Sequence, residues 1–275
     1  MKQLLATIEI ARPHNMLAAA VAVAGGYFLS GGRAIGEIAT PVVFTALVTG
    51  FGNLINDCYD AEIDRVNKPR RPIPSGKLSP RFVLRAYVTG TALVTVGMLL
   101  LLDRPFLFLA LLWQVLLFTY ARTTKRIMVA GNLVVATVAG SAFIGGAMAT
   151  GEYRAVVFPA LFAFVYVIGR EIVKGAEDVR GDRSAGVTTL AGRVGVENAA
   201  WLASLILFIC VLAGPMPGLV RYFGRLYLIM MEMVVVPIIL VAVYLVLRFQ
   251  NFHAASRILK VGMFLGVVAM GLGRL

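Results

Sequence analysis

Asn56, Asp60 and Asp64 recur every four residues in the stretch NDCYDAEIDRVNKPRRPIPSG, and Glu171, Lys174, Asp178 and Asp182 are three and four apart in REIVKGAEDVRGD. On a helix, each set occupies one face with neighbours a turn apart. Asp57 lies close to the first face, whereas Glu62 points away. Like charges stacked in this way repel, and more so where a helix end is withdrawn from water. A cation must offset them. Oxygen-only ligands in Asp-rich pairs suit Mg²⁺, which binds through a few carboxylates, waters and phosphate oxygens. A Ca²⁺ loop of the EF-hand kind is excluded by the missing ligand pattern and central Gly. Zinc is excluded because His14, His253, Cys58 and Cys210 lie far apart. One cluster alone reads equally well as a solvated helix end; two at helical spacing favour a shared site for metal and phosphate.

The elements that must position these residues are membrane spans. Of the 275 residues, 59% are hydrophobic and 15% charged, and the mean hydropathy is +0.85. A soluble domain is nearer about 45–50% apolar and roughly 25% charged. Uncharged runs at 13–32, 38–56, 86–102, 105–121, 127–151, 155–169, 198–220 and 261–273, with 226–247 broken only by Glu232, predict nine transmembrane helices. The expected fold is an all-α membrane protein forming one domain over 1–275. With the N-terminus inside, 20 of the 26 Lys and Arg fall on inside segments. The positive-inside rule then places the N-terminus in the cytoplasm, the C-terminus outside and both acidic stretches on the cytoplasmic face. The net charge of +12 reads as this topology plus an anionic ligand. No basic and aromatic soluble module is present to bind nucleic acid. The first apolar run is too long for a cleavable signal peptide, and the two cysteines suggest neither a disulfide nor a metal site.

Cationic partners lie at the same face. Tyr120 and Lys125 end the fourth run in FTYARTTKR, and Arg65, Lys68, Arg70 and Arg71 follow the first acidic row. Three prolines in NKPRRPIPSG predict a stiff, non-helical cap able to fold over a charged site. Glu171 is expected to pair with Lys174 or Arg170.

Taken together, ARPHN, NDCYDAEID, NKPRRPIPSG, YARTTKR and EDVRGDRSAGVTTLA resemble the UbiA superfamily of membrane prenyltransferases, and within it the branch that builds archaeal ether lipids. The resemblance covers nearly the whole chain. It implies nine helices around a central cavity, with Asn56, Asp60, Asp64, Asp178 and Asp182 holding Mg²⁺ against the diphosphate of an isoprenyl donor. It also implies Lys125 and Tyr120 near that diphosphate and Arg12 near the acceptor. With Asn15, Asp57, Arg65 and Lys174 these complete the candidate substrate-binding set. The implied reaction transfers geranylgeranyl from geranylgeranyl diphosphate to the hydroxyl of geranylgeranylglyceryl phosphate, in the cell membrane, from the cytoplasmic side. The family pattern departs at Gly175, where it carries a further Asp. The alternative acceptor is an aromatic acid on the way to a quinone. Outside enzymes the alternative is a transporter, which would place ionisable residues near the midplane; here only Glu232 lies within a span.

Overall fold

The computed structural model describes residues 2–124, 127–184 and 186–273, without the side chains of Lys2, Met128, Arg180, Arg183, Ser184 and Thr188. In chain order the helices are α1 (Lys2–Ala11), α2 (Pro13–Leu29), α3 (Ile35–Tyr59), α4 (Ala61–Asn67), α5 (Pro80–Leu101), α6 (Arg104–Arg122) and α7 (Ala130–Ala147). There follow α8 (Arg154–Ser184), α9 (Leu190–Val194), α10 (Val196–Ala213), α11 (Met216–Leu219), α12 (Arg225–Met230), a π-helical turn at Met231–Val235, α13 (Val236–Phe249) and α14 (Phe252–Gly271). Two two-residue strands, β1 (Ile127–Met128) and β2 (Thr188–Thr189), pair in parallel between the ends of α6 and α9. Among the described residues every other regular element is helical.

Eight segments among the described residues are long and apolar enough to cross a membrane. They are α3, α5, α6, α7, α8, α10 with α11, α12 through α13, and α14. Helix α2 is apolar but has 17 residues, or about 25 Å at roughly 1.5 Å per residue. The uncharged run at 155–169 gives a poor estimate of its helix. Helix α8 has 31 residues and continues through Arg170, Glu171 and Lys174 to Ser184. The second acidic row is therefore the projecting end of a span, not a loop after one.

Helix ends follow their local chemistry. Ser79 caps α5 by accepting from Phe82 N at 3.2 Å, and Pro80 fills the first turn where no N–H is needed. Asn251 caps α14 in the same way, accepting from Ala254 N at 3.1 Å. Helices α2 and α7 pack backbone to backbone. A Cβ at Gly26 would meet Phe143 O at 2.1 Å, and one at Gly146 would meet Val23 O at 2.0 Å. Small residues allow such contacts where lipid supplies no hydrophobic drive for helix association. Helix α8 packs against α7, α10 and α14, and α14 closes back onto α2. A cavity lies between α2, α3, α6, α7, α8 and α14.

The NKPRRPIPSG stretch forms a cap, as its prolines predict. Ile73 and Leu78 bury against Ala6, Ile10, Leu54 and Val83 in a second, smaller core. Leu78 N donates to Pro72 O at 3.0 Å and Ser75 N to Arg71 O at 2.9 Å. The cap thus ties α1 to the end of α3. Between α1 and α2, Arg12 adopts the left-handed conformation, with φ 54° and ψ 72°, which costs a non-glycine residue free energy.

The two acidic segments stand at one end of the bundle. The α2–α3, α7–α8 and α10–α12 turns stand at the other, where Tyr222 Oη donates to Arg154 O at 3.3 Å and Gly224 N to Gly273 O at 2.7 Å. Single cysteines at Ser75, Arg193 and Ala34 in a background without Cys58 and Cys210 test this arrangement. Impermeant maleimide should label the first two from the same side of sealed vesicles and Ala34→Cys from the opposite side. Labelling of Ser75→Cys and Arg193→Cys from different sides would contradict the structure.

Candidate active site

The first acidic row spans the α3–α4 junction without losing its register. Asp60 N donates to Asn56 O at 2.9 Å, Asp64 N to Asp60 O at 2.8 Å and Lys68 N to Asp64 O at 2.8 Å. These i to i+4 bonds keep Asn56, Asp60 and Asp64 one turn apart, and all three side chains are buried. Asn56 Nδ2 donates to Asp60 Oδ2 at 2.8 Å. Asn56 Oδ1 is buried and accepts from nothing among the described residues.

Asp57, also buried, pairs with Arg12 from the α1–α2 junction and with Arg71 from the cap at 3.5 Å. Arg71 pairs with Asp64 as well. The cap therefore inserts one guanidinium between two carboxylates of the first row. Burial pushes the Asp64 carboxyl above its ordinary range, Arg71 opposes this, and the neighbouring Asp60 charge reinforces it.

Helix α4 docks the first row against the second. Asn67 Nδ2 donates to Asp178 O at 2.9 Å, and Gly181 N donates to Asn67 Oδ1 at 3.0 Å. Lys68 Nζ reaches both Asp178 carboxylate oxygens, at 2.7 and 2.8 Å. Burial lowers the Lys68 pKa, against the pull of Asp178. Asp178 and Asp182 share a pocket of about 50 Å³ with Tyr120, Asn132, Lys174 and Gly175. Glu171 is buried between Arg170, at 2.5 Å, and Lys174, at 3.5 Å, as its depth on α8 led us to expect. A Cβ at Gly175 would meet nothing within 4 Å, so packing does not demand glycine there; the bare backbone keeps this pocket open.

Beside this pocket is a cavity of about 480 Å³. Arg12, Asn15, Asn56, Asp57, Tyr120 and Lys174 line its polar end, and Ala18, Val48, Trp113, Ala142, Phe143 and Val267 its apolar depth. Asn15 Nδ2 donates to Asn53 Oδ1 at 3.4 Å, which in turn ties Asn53 to Ala11 O at 2.8 Å and steadies the wall near Arg12. Such a space accepts a long apolar chain with a charged head.

Three expected residues line neither space, and a fourth lies outside the described residues. Arg65 is exposed on α4 and lines neither space, whereas Lys68 and Arg71 line the larger one. Asp60 and Asp64 line neither space directly and border the site through Asn56 and Arg71. Lys125 lies outside the described residues. Among the described residues no three His, Cys, Asp or Glu side chains gather closely enough to hold a metal by themselves. The donor chemistry nonetheless fits Mg²⁺: an unpaired buried amide oxygen sits beside Asp60, and every nearby candidate ligand is an oxygen. Lys68, Arg71 and Asn67 are the residues whose roles the spacing alone did not reveal. The three prolines around Arg70 and Arg71 are the one signal that the cap folds back.

The whole is an all-helical membrane bundle in which two acidic rows, joined through Asn67 and Lys68, stand beside a cavity that is apolar in its depth. A solved structure of a UbiA homolog from Archaeoglobus fulgidus bound to DMAPP and Mg²⁺ has this fold, with a TM-score of 0.67 over 96% of this chain and 98% of that one at 17% identity. The chain belongs to the UbiA prenyltransferase family, whose sequence profile matches residues 17–268. It is 38% identical to digeranylgeranylglyceryl phosphate synthase of Methanopyrus kandleri over 96% of this chain and 97% of that one. A solved structure from work on digeranylgeranylglyceryl phosphate synthase in membranes is 30% identical, with a TM-score of 0.72 and 99% of each chain covered.

Two substitutions test the geometry. A Cβ at Gly181 would meet Asn67 Cγ at 2.5 Å, so Gly181→Ala should displace Asn67 and separate the two acidic rows. The expected result is a several-fold rise in the Mg²⁺ concentration needed for half-maximal turnover. Glu171→Gln should keep that requirement near wild type while lowering thermal stability, because it leaves Arg170 and Lys174 without their shared carboxylate. A large shift in the Mg²⁺ requirement of Glu171→Gln would instead make Glu171 a metal ligand.

Proposed function

We propose that the protein transfers a geranylgeranyl group from geranylgeranyl diphosphate to the free hydroxyl of geranylgeranylglyceryl phosphate. The observation that carries this reading is the joining of both acidic rows, through Asn67 and Lys68, beside a cavity that is polar at one end and apolar in its depth. The similarity to digeranylgeranylglyceryl phosphate synthases over nearly the full chain supports the choice of donor and acceptor.

Asn56, Asp60, Asp64, Asp178 and Asp182 would hold Mg²⁺. When bound, the metal offsets negative charge as the allylic C–O bond breaks and its electron pair leaves with the diphosphate. Lys68, Arg71, Lys174, Tyr120 and Lys125 supply further cationic and hydrogen-bonding groups to that leaving group. Preorganised positive charge in a water-poor site acts strongly on such a transition state. The apolar depth holds the isoprenyl chain, and the proline-rich cap keeps water from the allylic cation until the acceptor oxygen captures it and loses its proton. Arg12, Asn15 and Asp57 bind on the acceptor side. In this reading α2 is the ninth span, the N-terminus is cytoplasmic, the C-terminus is outside, and the site opens to the cytoplasm, in line with the basic-residue distribution.

Asp60→Asn and Asp182→Asn should each lower turnover by at least about a hundredfold, since each removes a charged ligand, and chelation by EDTA should abolish it reversibly. Purified protein should convert labelled geranylgeranyl diphosphate with geranylgeranylglyceryl phosphate and not with aromatic acids. Transfer to an aromatic acid alone would overturn the acceptor, and near-normal transfer by either Asn variant would overturn the two-row metal site.

A further inference from the structure

The cations at the cavity are of two kinds. Lys68, Arg71, Arg12 and Lys174 each face a carboxylate, namely Asp178, Asp64, Asp57 and Glu171. Lys260 and Arg257 of α14 line the same cavity, yet among the described residues neither is ion-paired with an acid. Lys260 Nζ instead contacts His14 Nε2 from α2. Arg170 adds a third observation. It gives Nη1 to Glu171, but its Nε is buried with no hydrogen-bond partner among the described residues. Arg170 and Lys260 are near enough to feel each other's charge, and the His14 ring lies beside Lys260. Like charges such as Arg170 and Lys260 on a low-dielectric wall are unfavourable unless an anion joins them. A buried donor without an acceptor adds to that cost.

These groups stand on α2, α8 and α14, whereas the groups that complete the acidic site stand on α4 and the cap, and Lys260 is near enough to Arg12, Lys174 and Arg71 to feel their charge. The cations of the acidic site already answer carboxylates, whereas Lys260 and Arg257 answer none among the described residues. We propose that His14, Arg170, Arg257 and Lys260 form a second anion seat, which binds the phosphomonoester of the acceptor lipid. A dianion with three terminal oxygens suits several point donors. An aromatic carboxylate, with one charge and two oxygens, would leave part of the cluster unanswered. The seat thus deepens the proposed function by making the acceptor's phosphate a recognised group.

The test measures initial rates with geranylgeranyl diphosphate as donor. The acceptor is either geranylgeranylglyceryl phosphate or the same lipid lacking its phosphate. Wild type should favour the phosphorylated acceptor strongly in kcat/KM. Lys260→Met and Arg257→Ala should each raise KM for the phosphorylated acceptor about tenfold or more, the scale of a lost charge-assisted hydrogen bond. KM for the donor should move less than twofold, and rates with the dephosphorylated acceptor should change little. Lys260→Arg should recover most of the loss. Arg257 is exposed, so its replacement is readable even if Lys260→Met folds poorly. Equal rises in KM for donor and acceptor would overturn the seat by assigning the cluster to the diphosphate. Unchanged acceptor KM in both variants would overturn it too. Failure of wild type to use the phosphorylated acceptor at all would instead strike the proposed function.

Discussion

Everything at the functional end of the molecule follows from burying carboxylates beside an apolar bundle. Asp57, Asp60, Asp64, Glu171 and Asp182 are all buried. An ion withdrawn from water costs several kcal/mol unless it is paired and hydrogen-bonded. The structure meets that demand for Asp57 with Arg12 from the α1–α2 junction, for Asp64 with Arg71 from the cap and for Glu171 with the neighbouring Arg170, while Lys68 from the end of α4 reaches Asp178 on α8. The cap must fold back onto α1, and α4 must dock on α8, or the acids lose their partners. The second core beneath Ile73 and Leu78 is the apolar half of the same arrangement. It fixes the cap so that Arg71 stays in place without relying on the ion pairs alone.

That requirement also explains the division of the cavity. Charge is confined to the end where helices outrun the membrane, because α3 passes into α4 and α8 extends to Ser184. Below it the lining turns apolar within about two helical turns, as from Asn15 to Ala22 on α2 and from Asn56 to Val48 on α3. A ligand with a charged head and an oily tail can be oriented by this gradient before any specific contact forms.

Much of this was legible in the sequence, and the limits are physical. Helical periodicity placed Asn56, Asp60 and Asp64 on one face, and the i to i+4 bonds across the α3–α4 junction uphold it. Hydropathy found the apolar runs but ended the run at 155–169 too early, because the transfer cost of Arg170 and Glu171 says nothing of their pairing with each other. Spacing could not tell Arg65 from Arg71: both follow the acidic row, and only the fold of the cap decides which cation turns inward. The Lys68–Asp178 pair spans 110 residues, a separation that no local pattern encodes. The unpaired donor on Arg170 is likewise invisible without a tertiary structure, since it is defined by what fails to reach it.

Arg12 has a consequence for how this protein can evolve. Its backbone sits at φ 54°, where glycine or asparagine would rest more easily. Replacement by either would relax the α1–α2 junction and at the same time strip Asp57 of one of its two guanidinium partners. Relief of backbone strain, about 1–3 kcal/mol, and the loss of a partner from a buried carboxylate, about 3–5 kcal/mol, therefore oppose each other at this single position. A screen that rewards only heat resistance would therefore keep the strained arginine, because the ion pair it completes outweighs the strain it carries.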